Sequence, residues 1–250
     1  MGRPLAPYSL RGFVWYQGES NLIDVNDRAT YADKMEALIA GWRTAFGVED
    51  APFYYVQVAP HFYSVARRRW IASAQALPEF WVAQTEALRV KNTGMVATVD
   101  LVDDLFDIHP RDKKSVGERL ARMALKRSYG KSEVIDSGPV FASWRAHEGK
   151  AVVTFQGVAG GLKSGDGKGL TWFEVAGKDG KFFAADAVIE GAERVVVSSV
   201  YVKQPEAVRF AWNEAAQPNL QDGSGLPAWP FRTDGGGAVV RGVTEAEAVR

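Results

Sequence analysis

Between residues 11 and 130, short apolar runs alternate with longer segments of helical periodicity. Strands that alternate with helices require crossover connections, and such connections predict a parallel sheet with helices on its faces. We therefore expect an α/β fold in this part of the chain. The apolar runs have the length of buried strands and are FVWY at 13–16, FYYVQV at 53–58 and MVATV at 95–99.

Helical periodicity is clearest in the segments 31–46 and 113–129, and a glycine follows each of them. Glycine just past the last turn is a common C-cap, so both helices are expected to end there. The segment 66–90 also has helical character. Pro78 is expected to break it into two pieces, because proline disrupts the interior of a helix.

From about Gly138 the pattern changes to short alternating runs separated by Gly, Asp and Lys. Strands at this spacing predict an antiparallel sandwich, or a sheet packed on the first half. The glycine-rich GVAGGLKSGDGKG is expected to be a loop between strands. We predict two domains, residues 1–135 and residues 136–250. The runs in the second are KAVVTFQGV, LTWFEVAG, FFAADAVIEG, RVVVSSVYV and AVRFAW.

Charge and composition exclude several classes of function. Thirty basic and thirty acidic side chains cancel, so no net field favours a nucleic acid or a membrane surface as partner. The chain has no cysteine, which excludes disulfides, thiolate metal sites and a cysteine nucleophile. No apolar run approaches the length of a membrane span. No GxGxxG or Walker spacing indicates a nucleotide site, and we predict no cofactor.

Polar clusters follow two of the predicted strands. Gln17–Asn21 comes directly after the first strand, and Asp100–His109 comes after the third. In an open parallel sheet, ligands bind at the carboxyl ends of the strands. We therefore expect the two clusters to converge, with Gln17 or Glu19 near His109.

His109 is the candidate general base. Asp103, Asp104 and Asp107 lie near it in sequence, and a carboxylate can hold an imidazole in the tautomer that a base requires. Pro110 keeps His109 out of a helical conformation. A loop histidine in an acidic turn is the alternative. These residues could also bind a cation, but no second histidine stands at ligand spacing, so no metal site is predicted.

The other two histidines are weaker candidates. His147 lies in the polar turn RAHEGK and is expected at the surface. His61 follows the second strand and either lines the rim of a cleft or has a structural or surface role.

The stretch WYQGESN at 15–21 has the strand–turn–helix context in which hydrolases present a serine. Ser20 is therefore a candidate nucleophile. Against it, the nucleophile elbow G-x-S-x-G needs a glycine where Leu22 stands, and the charge of Glu19 would oppose a developing oxyanion. Gln17 and Gly18 either supply donors to an oxyanion or brace the loop.

Several motifs together carry a family resemblance over roughly residues 4–234. RGFVWYQGESN, GWRTAFG, APFYYVQVAP, NTGMVATVDL and DIHPRDKKSVGERLARMAL stand in this order, followed by VVSSVYVKQPEAVRFAW and NLQDGSGLPAWPFRTD. In these motifs the chain resembles sialate O-acetylesterases of the SGNH (GDSL-like) hydrolase superfamily. The resemblance implies an esterase that removes O-acetyl groups from sialic acids or related sugars.

The resemblance also implies roles for particular residues. His109 would be the base, and Asp107 matches the aspartate of the DIHP motif. Many SGNH hydrolases place the orienting aspartate three residues before the histidine, where this chain has Phe106, so Asp104 or a backbone carbonyl remains an alternative orienter. The remaining site residues would form the oxyanion hole and active-site wall, and are Gln17, Gly18, Glu19 and Asn21.

One part of the family pattern is missing from this chain. The nucleophilic serine of the superfamily lies in an early GQSN-type block, and no such block precedes Arg11. The resemblance therefore implies an incomplete three-layer α/β/α SGNH fold, followed by a β-rich domain. Its sheet would be short by at least one strand beside residues 13–16, and the chain alone would be nearly inactive.

Two alternatives remain open. One is a self-contained esterase that uses Ser20 and His109. The other is a non-catalytic sugar-binding module, in which tryptophans such as Trp172 and Trp229 stack on sugar rings. Oligomeric state, the particular sugar and the compartment are not fixed by the sequence, although full-length relatives are often secreted or periplasmic.

Overall fold

The computed structural model describes residues 8–65 and 73–235. Its first part contains a parallel sheet in the order β1-β2-β3, which confirms the α/β prediction. The strands are β1 (Phe13–Trp15), β2 (Phe53–Val56) and β3 (Thr93–Val96). Because all three run in the same direction, their carboxyl ends lie at one edge of the sheet.

The helices of this part lie between and after the strands. Gly47 and Gly130 end the two long helices in the left-handed conformation, with φ of 67° and 69°. The bounds predicted for these helices are confirmed. The five helices of the described residues are α1 (Glu19–Ile23), α2 (Val25–Ala29), α3 (Tyr31–Phe46), α4 (Ala76–Glu86) and α5 (Lys113–Tyr129).

Two sequence predictions need correction in this part. Pro78 does not break a helix, because it lies in the first turn of α4, where a missing N–H costs no hydrogen bond. A 3-10 turn, Ala87–Arg89, extends α4. The predicted helical residues 66–72 lie outside the described residues. The third strand runs from Thr93 to Val96 rather than from Met95 to Val99.

The helices cover the two faces of the sheet. α3 and α4 pack on the face that carries Phe53 and Tyr55, and α5 packs on the face that carries Tyr54 and Val56. Coverage is incomplete at β1. Val14 pairs with Tyr54 and is 68% exposed, and within the described residues β1 has no strand partner other than β2.

Antiparallel sheets make up the rest of the described chain, as predicted. Two are four-stranded, in the orders β4-β5-β10-β9 and β13-β11-β7-β8, and β12 pairs with β6. The strands are β4 (Val140–His147), β5 (Lys150–Gln156), β6 (Leu162–Ser164), β7 (Phe173–Ala176), β8 (Phe182–Ala184), β9 (Asp186–Glu190), β10 (Arg194–Ser198), β11 (Ala207–Phe210), β12 (Leu220–Asp222) and β13 (Phe231–Arg232).

The glycine-rich segment is not only a loop, because it contains β6. Its three residues form a strand by pairing with β12, which is distant in sequence. The single run FFAADAVIEG forms two strands, β8 and β9, in different sheets. No strand was predicted from the sequence at the position of β4.

The two parts of the chain share a hydrophobic core. Val140, Trp212 and Trp229 come from the β-rich part, yet they belong to the same core cluster as residues of the parallel sheet and of helices α3 and α4. Because residues from both sides of the predicted domain boundary at 135 and 136 share this core, the division into two domains stays a prediction. Among the helices that the structure describes, none has the length and apolarity needed to cross a membrane.

Candidate active site at the carboxyl edge of the parallel sheet

The turn after β1 is shaped by Gly18. Its φ is +154° and its ψ −15°, a conformation that residues with a Cβ rarely adopt. A Cβ at this position would lie 2.7 Å from Val58 Cγ2 and 2.8 Å from Phe80 Cε1. Both neighbours are fully buried. Glycine is therefore required for the chain to pass from β1 into α1 against the core.

The predicted wall residues form a local hydrogen-bond network. Gln17 Nε2 donates to Asn21 Oδ1 at 2.9 Å, and Asn21 Nδ2 donates to Asp27 Oδ2 at 3.0 Å. The Gly18 N–H donates to Glu19 Oε2 at 3.0 Å. These bonds fix the turn, and they also engage the Gly18 N–H and one of the two N–H groups of Gln17 Nε2, which are the donors that an oxyanion would use.

Ser20 occupies the second position of α1 and is exposed. The local strand–turn–helix pattern predicted from sequence is present. The turn itself differs from a nucleophile elbow, in which the serine occupies the sharp turn. Here the strained residue is Gly18, and the serine has ordinary helical backbone.

The loop after β3 carries His109. The loop is built on two side-chain-to-backbone turns, in which Asp104 Oδ1 accepts from the Phe106 N–H and Asp107 Oδ1 accepts from the His109 N–H, both at 2.9 Å. The His109 side chain is 85% exposed. Its Nδ1 lies 3.8 Å from Asp107 Oδ1, which is the distance of an ion pair rather than a hydrogen bond.

An arginine from α5 holds the start of this loop. Arg119 forms a bidentate pair with Asp100, with N–O distances of 2.7 and 2.6 Å, and also donates to the Ala97 carbonyl at 2.7 Å. Arg119 is almost entirely buried. The pair fixes the carboxyl end of β3 to the helix that follows the His109 loop.

The two motif segments meet through Tyr16 and Lys113. Lys113 Nζ lies 5.0 Å from the centroid of the Tyr16 ring, which is within the range of a cation–π contact. Tyr16 directly precedes Gln17, and Lys113 lies four residues after His109. Burial, together with the charge of Glu19, raises the pKa of Tyr16 to about 12. The structure thus brings the WYQGESN turn against the end of the DIHPRDK loop.

A third segment lies at this edge of the sheet, although its histidine was a weaker candidate than His109 from the sequence. The chain after β2 carries His61 and Tyr63, which are buried and have rings in edge contact, with centroids 4.8 Å apart. Burial lowers the pKa of His61, while the charges of Glu214, Asp107 and Asp104 oppose that shift. Burial raises the pKa of Tyr63, and the charge of Glu19 adds to the effect.

His61 is therefore not at the surface. It lies in the middle of the site region, because β2 is the central strand. The order of the strands, which was not predicted, is the signal that would have placed it there. Glu214 comes from the loop after β11 and is 3% exposed. No local pattern in the sequence marks it.

Buried polar atoms without partners also concentrate at this edge. In the part of the chain that the structure describes, Tyr16 Oη, Gln57 Nε2 and His61 Nδ1 are buried and make no hydrogen bond. Such atoms are uncommon in folded proteins. Their position after β1 and β2 supports this edge as a candidate functional site. Within the same ranges, no group of three acidic or histidine side chains is close enough to hold a metal ion.

The tryptophans considered for sugar stacking have different environments. Trp229 is 3% exposed and belongs to the core, so it is not available to stack on a ligand. Trp172 is 38% exposed and has a positive φ of 65°. Of the two, only Trp172 presents surface to solvent.

A parallel sheet with polar loops at its carboxyl edge, followed by antiparallel sheets, defines an α/β protein with an SGNH-like first part and a β-rich second part. Residues 3–126 match a family model described as carbohydrate esterase, sialic acid-specific acetylesterase. The chain is 31% identical to the sialate O-acetylesterase of Homo sapiens, in an alignment that spans 92% of the chain. The chain belongs to this family of carbohydrate acetylesterases.

A solved structure shows the same relationship. The carbohydrate acetylesterase of Xanthomonas citri superposes with a TM-score of 0.80 and 34% identity, over 92% of this chain and 52% of that one. The sialate O-acetylesterase of Rattus norvegicus is 33% identical over 56% of this chain and 27% of its own length. For the human protein the covered share is 47%. The chain thus spans at most about half the length of these relatives.

Proposed function

We propose that this chain supplies the base and one wall of the active site of a carbohydrate O-acetylesterase. The enzyme would hydrolyse O-acetyl esters of sialic acid or of related sugars. The observation that carries this proposal is the meeting of two segments at the carboxyl edge of the sheet, where Lys113 contacts Tyr16 at 5.0 Å. This contact supports the proposal that the exposed imidazole of His109 and the donors of the turn after β1 belong to one site.

The chemistry assigned to His109 is general acid–base catalysis. Its Nδ1 faces Asp107, so Nε2 is the nitrogen free to accept a proton. His109 would take the hydroxyl proton of a serine as the serine oxygen bonds to the acetyl carbon, and would then give that proton to the departing sugar oxygen. Water would repeat the sequence, which releases acetate and regenerates the serine.

Oxyanion stabilisation is assigned to the turn after β1. The Gly18 N–H and Gln17 Nε2 are the donors available there. Glu19 accepts from the Gly18 N–H, and Asn21 accepts from one of the two N–H groups of Gln17 Nε2. An oxyanion would bind the Gly18 N–H after the Glu19 carboxylate rotates away from it. The charge of Glu19 would otherwise oppose the developing negative charge.

The nucleophile is proposed to lie outside these 250 residues. Two serines near the edge are poor candidates. Ser20 lies on an exposed turn of α1 beside the carboxylate of Glu19. The hydroxyl of Ser64 donates to the carboxylate of Glu214. The incomplete coverage of the relatives leaves room for a serine elsewhere.

Acetate release from p-nitrophenyl acetate and from an O-acetylated sialic acid tests the proposal. The 250-residue chain should be compared with a longer version that includes the residues encoded upstream of Met1 in its gene. Each version should be measured with and without Ser20→Ala. We expect activity in the extended version only, unchanged by Ser20→Ala, because loss of a nucleophile typically removes about 10⁴-fold or more of the rate.

The alternatives give different results in the same assay. Activity of the short chain that is lost on Ser20→Ala would favour a self-contained Ser20–His109 esterase. Full activity of the short chain carrying Ser20→Ala would contradict the missing nucleophile. Absence of activity in both versions, with both folded, would contradict the esterase assignment.

A further inference from the structure

Glu214 is a buried carboxylate that reaches the candidate site from the β-rich part of the chain. One of its oxygens, Oε2, accepts from the Ser64 N–H at 2.8 Å, and the other accepts from the Ser64 hydroxyl. The Glu214 carbonyl accepts from the His61 N–H at 3.1 Å. A buried charge is costly unless it is well hydrogen-bonded, so these contacts hold the segment 61–64 against the β-rich part.

The turn that delivers Glu214 is strained. Ala211, which follows β11, has a φ of +53° and is fully buried, and its N–H donates to the carbonyl of Trp172. A left-handed conformation at a residue with a Cβ is unfavourable and persists only where the surroundings impose it. Trp212 then inserts into the core of the first part. The backbone after β11 is thereby aimed at the loop after β2.

The segment 61–64 in turn holds the loop that carries His109. The Phe62 N–H donates to the Leu105 carbonyl at 3.0 Å. The rings of Phe62 and Phe106 pack with their centroids 4.9 Å apart. Leu105 lies between Asp104 and Asp107, whose turns set the backbone of His109. A continuous path of contacts therefore runs from Glu214 to His109.

We infer that Glu214 is a positioning residue, which fixes the loop of the proposed catalytic histidine from the β-rich part through Ser64, His61 and Phe62. This inference rests on the proposed function for the role of His109. It gives the second part of the chain a share in the active site, because that part would set the geometry of the base. Misplacement of a catalytic group by about 1 Å can lower a rate by about 100-fold.

Electrostatics provides a direct signature of this arrangement. The charged and titratable groups that act on the His61 imidazole come from two loops: Glu214 from the β-rich part, and Asp104 and Asp107 from the His109 loop. The backbone of Leu105 acts in the same direction, and all four oppose the lowering of the His61 pKa by burial. Removal of the Glu214 charge should therefore lower the pKa of His61 further.

Side-chain NMR of the histidines tests the inference in the 250-residue chain, without any need for activity. The chain has three histidines, so their imidazole signals can be assigned from His61→Gln, His109→Gln and His147→Gln variants. We expect Glu214→Gln to lower the pKa of His61. We expect Glu214→Ala to shift the signals of both His61 and His109, with His147 unchanged. Glu193→Gln, at an exposed position, should change none of them.

In an active version of the enzyme, Glu214→Ala should lower kcat about tenfold or more with little change in KM, and Glu214→Gln should retain more of kcat. Unchanged His109 signals in folded Glu214→Ala would overturn the inference. If Glu214→Ala does not fold, an unchanged His61 pKa in Glu214→Gln would overturn it. A third outcome is that Glu214→Ala shifts the His109 signals, while His109→Gln leaves the activity of the complete enzyme unchanged. This outcome would overturn the proposed function and leave the contact path intact.

Discussion

Substitution of Gly18 by alanine is the sharpest structural perturbation of the candidate site. The backbone has a φ of +154°, and a Cβ would lie 2.7 Å from Val58 Cγ2 and 2.8 Å from Phe80 Cε1. Neither neighbour can move into solvent, because both are fully buried. A Cβ in this conformation costs about 1–3 kcal/mol, and overpacking of a core adds about 1–3 kcal/mol.

We therefore expect Gly18→Ala to lower the free energy of unfolding by about 2–6 kcal/mol. For a chain of this size, where 1 kcal/mol corresponds to about 2–4 °C, that loss corresponds to a decrease in Tm of roughly 4–24 °C. Urea denaturation followed by tryptophan fluorescence measures the free energy, and a thermal melt followed by circular dichroism measures Tm.

Gly41→Ala is the matched control. Gly41 lies inside α3, and a Cβ there meets no atom within 4 Å. Alanine in a helix interior is favoured over glycine by roughly 0.5–1 kcal/mol, so this variant should be slightly more stable than the natural chain. If Gly18→Ala is as stable as the natural chain, the argument that Gly18 is required by the packing of the turn is wrong.

Two further predictions concern residues that hold the site together. Arg119→Lys should lower the free energy of unfolding by about 1–3 kcal/mol in urea denaturation, because lysine cannot make the bidentate pair with Asp100. The control is Lys114→Gln, in the exposed pair with Glu118, which should change the free energy of unfolding by less than about 0.5 kcal/mol. Equal losses in the two variants would show that the Arg119–Asp100 pair adds no special stability. His61 has a lowered pKa in the folded chain, so the unfolded chain binds more protons and stability should fall as the pH drops below the unfolded value of about 6.5. His61→Gln should reduce this pH dependence while His147→Gln leaves it unchanged, and an unaltered pH profile in His61→Gln would show that His61 does not contribute.

The elements with a local signal could be predicted from the sequence. The helix 113–129 follows from its apolar spacing and from Gly130, and it has these bounds in the structure. The starts of the first two strands, Phe13 and Phe53, were placed correctly because both runs are continuously apolar, although only β2 is fully buried. Pro78 was misjudged because its effect depends on its position within the helix, and the start of α4 has no strong capping signal in the sequence.

Elements that depend on distant pairing were harder to predict. β6 has only three residues in a glycine-rich segment, and its conformation comes from β12, more than fifty residues later. The same limit applies to the site. Gln17 and His109 have recognisable local patterns, whereas the place of His61 depends on the strand order, and that of Glu214 on a turn after β11 that packs against the first part.

The central claim is that His109 is the base of an ester hydrolase, and the kcat of a His109→Gln variant tests it most directly. The variant should be measured in an active version of the enzyme on p-nitrophenyl acetate, beside His147→Gln. Since the His109 side chain is 85% exposed, the fold should be unaffected and both variants should melt like the natural protein. We expect a loss of about 10³-fold or more in kcat for His109→Gln and none for His147→Gln. A kcat for His109→Gln within a few-fold of the natural enzyme would contradict the assignment of His109 as the base.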